Sequence, residues 1–184
     1  MRTFNLPNTI TVLRIGVIPA LFFLLCSPGP TGSIVIALLF IAAAFTDLLD
    51  GYVARRYKIV TTMGKLLDPI ADKLIINTAM VLMIPLGHID AWIVAIIIIR
   101  DIAVDGIRSI AVSEELVIQA SRLGKQKTLC QIFAVSALII HYPFLGVNAH
   151  VVGTVILYIA LLLTVYSGVD YFVKFVKFSG GNAP

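Results

Sequence analysis

Ser33-Ile34-Val35-Ile36-Ala37-Leu38-Leu39-Phe40-Ile41-Ala42-Ala43-Ala44-Phe45-Thr46-Asp47-Leu48-Leu49-Asp50-Gly51-Tyr52-Val53-Ala54-Arg55 is the stretch on which the fold turns. Thirteen apolar or small residues, 33–45, run without a break into Thr46 and Asp47. As a helix they rise about 20 Å, through a hydrocarbon core about 30 Å thick. Asp47 and Asp50 therefore enter before the helix has crossed a bilayer. After eight more residues comes Gly64-Lys65-Leu66-Leu67-Asp68-Pro69-Ile70-Ala71-Asp72, which leads into another apolar run, 74–86. Carboxylates at membrane depth are expensive and mark functional sites.

The rest of the chain fits this reading. Of 184 residues, 59% are hydrophobic and 13% charged, against roughly a quarter charged in a soluble domain. The sequence reads as an all-α integral membrane protein, one domain over residues 1–184. Six transmembrane helices are expected at 7–26, 33–57, 66–87, 91–112, 122–145 and 149–177, separated by turn-forming or polar residues. The two cysteines, Cys26 and Cys130, lie in apolar segments and read as small buried hydrophobes, with no disulfide framework. No small-x-small cleavage site follows the first apolar run, which reads as an uncleaved helix.

Lys and Arg set the orientation. The loops after the first, third and fifth spans hold none, while 55–73, 108–127 and 174–177 hold most of them. By the positive-inside rule both termini and the aspartate pairs face the cytoplasm. The fourth span shows the same asymmetry, since nine apolar residues, 91–99, lead into Arg100 and Asp101, with Asp105 and Arg108 beyond. Spans two to four thus have apolar outer halves and polar inner halves, which predicts a polar cavity open to the cytoplasm. Structural ion pairs of Arg100 or Arg108 with Asp101 or Asp105 are the alternative for the fourth span. They leave too few cations for the four aspartates of spans two and three. His88, His141 and His150 fall near outer helix ends and read as interfacial. Trp92 and Tyr142 fit an outer aromatic belt, and Tyr171 and Phe172 an inner one.

Helical spacing puts Asp47, Asp50, Gly51 and Ala54 on one stripe. The small residues let a ligand approach the backbone, and Arg55 is suited to phosphate. Asp68 precedes Pro69, which predicts a helix start at or shortly before this point, with Asp68 a possible N-cap. Four such carboxylates suit Mg²⁺ or Mn²⁺, with substrate phosphate completing the shell.

The pattern D-x2-D-G-x2-A-R-x8-G-x3-D-x3-D is matched at every fixed position and resembles the signature of the CDP-alcohol phosphatidyltransferases. Within that family, Asn5-Leu6-Pro7-Asn8-Thr9-Ile10-Thr11-Val12-Leu13-Arg14 resembles the opening of the bacterial phosphatidylglycerophosphate synthases. So do Arg100-Asp101, Arg108 and Ser121-Arg122-Leu123-Gly124-Lys125-Gln126-Lys127-Thr128. That branch more often has Glu at the position of Asp101. The resemblance implies transfer of a phosphatidyl group from CDP-diacylglycerol to sn-glycerol 3-phosphate, releasing CMP. It implies two ions held by Asp47, Asp50, Asp68 and Asp72, with Asp72 also the base. It implies nucleotide-lipid contacts from Asn8, Thr11, Gly51, Ala54, Arg55 and Thr61, and acceptor-phosphate contacts from Arg100, Arg108, Lys125 and Lys127. It further implies a homodimer in the inner membrane, multi-pass, with the site on the cytoplasmic side and no nucleic-acid partner. Phosphatidylglycerol, inositol phosphate or serine as acceptor, and a divalent-cation transporter, are the competing readings. A transporter needs polar residues through to the other face, where these helices are apolar.

Overall fold

A computed structural model of the chain describes residues 29–57, 62–113, 122–144 and 146–179, with side chains except at 45–57, 62–72, 112–113, 122–123, 125, 144 and 179. The predicted first span, 7–26, lies outside the described residues, as do Asn8, Thr11 and Thr61. Within them the chain folds into α1 (Pro30–Tyr57), α2 (Thr62–Met83), α3 (Ala91–Ser113), α4 (Arg122–Ile140) and α5 (Ala149–Ser179). These correspond to predicted spans two to six. The described fold is all-helical apart from a two-residue ladder between α4 and α5. There β1 (Pro143–Phe144) runs antiparallel to β2 (Val147–Asn148), with Pro143 opposite Asn148.

Helix ends follow local chemistry. Pro30 starts α1, where its missing N–H costs nothing. Pro69 does not start α2, which begins at Thr62. Asp68 is therefore inside the helix and is not its N-cap, a correction to the sequence reading. Pro69 has no N–H to donate to the Lys65 carbonyl, so α2 forgoes that hydrogen bond. α2 ends at Met83, four residues before the predicted limit, because Pro85 disfavours helical geometry at Ile84. The exit is closed by His88 N–H donating to the Met83 carbonyl (3.1 Å), with Gly87 at φ 71°. α4 stops at Ile140, short of the predicted 145. His141 leaves it in the left-handed region at φ 42°, and Pro143 enters the ladder. Asn148 caps α5, its Oδ1 accepting from the N–H groups of His150 (3.1 Å) and Val151 (3.3 Å).

α4 is the central helix. It packs on α5 most extensively, and also on α1 and α2, while α3 leans on α5 and α2. The buried stripe of α1, Ser33, Ile36, Ala37, Phe40 and Ala44, has helical spacing. It joins Ile76, Ala79, Met80 and Met83 of α2, Ile93, Val94 and Ile97 of α3, Val135, Leu138 and Ile139 of α4, and Leu157 and Leu161 of α5. This apolar core lies toward the helix ends remote from the aspartate motif. At Gly153 α5 comes so close to α4 that an added Cβ would stand 2.7 Å from Leu138 Cγ and 2.9 Å from Leu138 N. α5 is long and apolar enough over Ala149–Phe178 to cross a membrane, and Pro30–Ala44, Lys73–Met83 and Gln126–Ile140 are shorter apolar helices. The outer surface of α5 exposes Val155, Ile159, Leu162, Tyr166 and Val169, a continuous apolar face of the kind lipid covers.

Candidate active site

Below the apolar core the same helix faces turn polar. On α3 the buried stripe Ile93, Ile97, Val104 and Ala111 also carries Asp101, which is only 3% exposed. On α4 the corresponding stripe carries Lys127, 4% exposed, and Gln131. On α5 it carries Thr164, Ser167 and Tyr171. Helical register alone thus collects these groups between three helices.

Asp101 is the hub. Its Oδ1 accepts from Arg100 Nη1 at 2.9 Å and from Lys127 Nζ. Arg100 Nη2 donates to Ser167 Oγ at 2.7 Å, and Ser167 Oγ donates to the Thr164 carbonyl at 3.2 Å. One turn further along α3, Lys73 of α2 pairs with Asp105 at 2.5 Å. Its Nζ lies 3.5 Å from the Asp101 carbonyl. Beyond that, the Arg108 guanidinium lies 5.9 Å from the centre of the Tyr171 ring, a cation–π contact. Arg100 Nε, Gln131 Nε2 and Tyr171 Oη are buried without a hydrogen-bond partner among the described residues.

Of the residues assigned to the acceptor phosphate, Arg100 and Lys127 come together on one carboxylate, and Arg108 stands two turns along α3. Lys125 is in α4, its side chain outside the described set. The pairing of Arg100 with Asp101 is the ion pair that the sequence offered as an alternative, but Asp105 takes Lys73 instead. Tyr171 is not in an inner aromatic belt. It is buried beneath Arg108, whereas Phe172 next to it is exposed. Trp92 is exposed at the outer end and faces Tyr158 across 6.2 Å. The histidines are not scattered: His88 stands 4.4 Å from His141 and 6.0 Å from His150, centre to centre.

The aspartate motif lies on the facing ends of α1 and α2. Asp47, Asp50, Gly51, Ala54 and Arg55 are all within α1, and Gly64, Asp68 and Asp72 within α2. Their side chains are outside the described set, so the helix register is what places them. Asp47 and Asp50 are i, i+3, and Asp68 and Asp72 i, i+4, each pair on one helix face. Four hard carboxylates within two helices, four residue positions apart in sequence at their junction (58–61), are a donor set that fits a divalent cation. Among the described side chains no other group of three or more His, Cys, Asp or Glu has that capacity.

The family model for CDP-alcohol phosphatidyltransferase matches residues 4–166. The chain belongs to this family. A Bacillus subtilis (strain 168) protein named CDP-diacylglycerol–glycerol-3-phosphate 3-phosphatidyltransferase is 39% identical over 183 residues, covering 93% of this chain and 95% of the relative. A Rickettsia typhi protein of the same name is 38% identical over 169 residues, covering 91% and 95%. A Mycobacterium tuberculosis (H37Rv) protein named probable phosphatidylglycerophosphate synthase is 36% identical over 183 residues, covering 98% and 86%.

For a CDP-alcohol phosphatidyltransferase, the groups that sequence reasoning missed are as informative as those it found. Lys73, Gln131, Ser167 and Gly168 were not singled out. Lys73 had a signal, since it sits beside Asp72 and begins an apolar run, where a cation needs a partner. Ser167 and Gly168 had a weaker one, a small pair interrupting the most apolar of the described helices.

Proposed function

We propose that the chain transfers the phosphatidyl group of CDP-diacylglycerol to sn-glycerol 3-phosphate, forming phosphatidylglycerophosphate and CMP. One observation carries this: relatives bearing that reaction in their names align with more than nine-tenths of both chains. The intact aspartate motif supports it.

The acceptor's hydroxyl oxygen attacks the phosphorus bonded to diacylglycerol. The bond from that phosphorus to the bridging oxygen breaks, and CMP leaves with the electron pair. Asp72 takes the hydroxyl proton, mainly as the new P–O bond forms, since a carboxylate is a weak base for an alcohol. Asp47, Asp50, Asp68 and Asp72 would hold Mg²⁺ or Mn²⁺, two ions, which when bound neutralise diphosphate charge and stabilise the departing CMP. Gly51 and Ala54 leave room for the nucleotide beside α1, and Arg55 binds its phosphate. Asn8, Thr11 and Thr61 complete that pocket. Arg108, Lys127, Lys125 and Arg100 hold the acceptor's own phosphate, which needs fixed positive charge.

The six-span arrangement, with its polar cavity open to the cytoplasm, a place in the inner membrane and a homodimeric state, belongs to the same proposal. Apart from Asp90 in a loop, the described charged side chains lie between the middle of their helices and the end that carries the aspartate motif. The outer halves are packed apolar. That supports an enzyme of one leaflet rather than a transporter. The test is an acceptor panel: purified protein with CDP-diacylglycerol and Mg²⁺ should release CMP with glycerol 3-phosphate. Release only with inositol phosphate, serine or phosphatidylglycerol overturns the acceptor assignment.

A further inference from the structure

Arg100 is held unusually tightly for an arginine. Its Nη1 is bound to Asp101 at 2.9 Å on its own helix, and its Nη2 to Ser167 at 2.7 Å on α5. Between these ends its stem lies flat on the backbone of Gly168. A Cβ added at Gly168 would stand 2.9 Å from Arg100 Cγ and 3.0 Å from Nε. A free arginine would swing away from such a methyl group. This one is fastened at both terminal nitrogens and cannot do so without breaking a charged hydrogen bond. Ser167 is itself oriented, because its proton goes to the Thr164 carbonyl, which turns an oxygen lone pair toward the guanidinium.

The local charge says what the clasp is for. One carboxylate, Asp101, serves two cations, Arg100 and Lys127, both largely buried. A buried charge left without a counter-charge is costly. Among the described residues Arg100 Nε and Gln131 Nε2 also lack hydrogen-bond partners. A site with excess positive charge and idle donors is complementary to an anion.

We infer that Ser167 and Gly168 are positioning residues for the phosphorylated acceptor. Together they form a seat on α5 that fixes the Arg100 guanidinium beside Lys127. This rests on the reading that Arg100 and Lys127 serve the acceptor's phosphate. Neither seat residue touches substrate; both act through Arg100. The seat also explains why position 168 has no side chain although it lies inside a long helix, where glycine is unfavourable.

The experiment is steady-state kinetics of the full chain in lipid–detergent micelles, with CDP-diacylglycerol and glycerol 3-phosphate varied separately. Ser167→Ala and Gly168→Ala should each raise the KM for glycerol 3-phosphate roughly tenfold, the scale of one charged hydrogen bond. The KM for CDP-diacylglycerol should stay within about twofold. Ser167→Thr, which keeps the hydroxyl, should restore the acceptor KM. In an Arg100→Met background Ser167→Ala should add nothing, because the two act as one unit. Equal changes in both KM values, or no change in either, overturn the seat. If Gly168→Ala does not fold, the serine pair decides alone. If Arg100→Met raises the acceptor KM while the seat variants are normal, only the seat fails. If Arg100→Met leaves it unchanged, the acceptor assignment of Arg100 fails first.

Discussion

Asp101→Asn is the substitution whose outcome most depends on the charge count in the inner half of the bundle. The wild-type carboxylate is 3% exposed and neutralises one of two cations that reach it. An amide of the same shape leaves Arg100 and Lys127 facing each other with no counter-charge. Breaking a buried pair in this way costs roughly 3–5 kcal/mol, and at this chain length about 2–4 °C of Tm per kcal/mol. The expected fall is thus on the order of 6–20 °C. Lys127→Met removes a cation instead, leaves the 2.9 Å Arg100–Asp101 bond in place, and leaves that pair neutral. Its expected cost is about 1 kcal/mol, one net hydrogen bond. The double variant should therefore be more stable than Asp101→Asn alone. Thermal unfolding in detergent micelles, followed through reaction of a thiol dye with the half-buried Cys130, measures all three. Lys127→Met as damaging as Asp101→Asn would refute the count of two cations on one carboxylate, as would a double variant worse than either single one.

Three further outcomes are expected. Gly153→Ala puts a methyl group 2.9 Å from the Leu138 backbone nitrogen and 3.1 Å from the Ala134 carbonyl. Backbone cannot give way as a side chain can, so the cost is roughly 1–3 kcal/mol, read as a lower Tm with unchanged KM values. Asp72→Asn should cut turnover at least about a hundredfold, the lower range for losing a general base, without lowering Tm; near-normal turnover rules out Asp72 as the base. At the outer end, burial and the neighbouring His141 and His150 hold the His88 pKa below its ordinary value. The folded chain then binds fewer protons than the unfolded one, so the stability contributed by neutral His88 is present above about pH 6.5 and is lost as pH falls through the folded pKa. Tm measured between pH 7.5 and 5 should drop more for wild type than for His88→Gln.

What could be read from the chain depended on the range of the interaction involved. The five described helices correspond to predicted spans because hydrophobic run length and turn residues are local. The aspartate motif was legible for the same reason, as fixed spacing within and between two adjacent helices. Ends failed where two local signals competed. Pro69 suggested a start, yet α2 begins at Thr62. The predicted limit of the fifth span, 145, ran past Pro143, which belongs to a two-residue ladder. Partners across helices were the least legible. Lys73 and Asp105 are 32 residues apart, and Arg100 and Ser167 are 67 apart, and no periodicity in one helix specifies its register against another. The same applies to Tyr171, whose neighbours in sequence suggest an interface but whose face on α5 turns inward to Arg108. His88, His141 and His150 come from three separate segments, so only the packed ends of α2, α4 and α5 could bring them together.

The division of charge within the inner half bears on how one site can handle two phosphate-bearing substrates. On α1 and α2 the motif supplies four carboxylates, Asp47, Asp50, Asp68 and Asp72, a charge that two divalent ions would neutralise. Among the described side chains of α2, α3 and α4, the cations are Lys73, Arg100, Arg108 and Lys127, and the carboxylates Asp101 and Asp105. Four against two leaves cations in excess among the described side chains, and Lys125 of α4 adds to them, a balance that complements an anion such as a phosphate monoester. An acidic side that needs metal and a basic side that needs an anion cannot exchange ligands, since like charges brought together cost several kcal/mol. On the proposed assignment, the diphosphate of the nucleotide lipid would go to the α1–α2 junction through its metals, and the acceptor's phosphate to α3 and α4. An acceptor without a phosphate, such as serine, would leave the second excess unmatched, which is why the charge count supports glycerol 3-phosphate over a neutral alcohol. Inositol phosphate carries the same phosphate, and there the choice rests on the relatives rather than on charge.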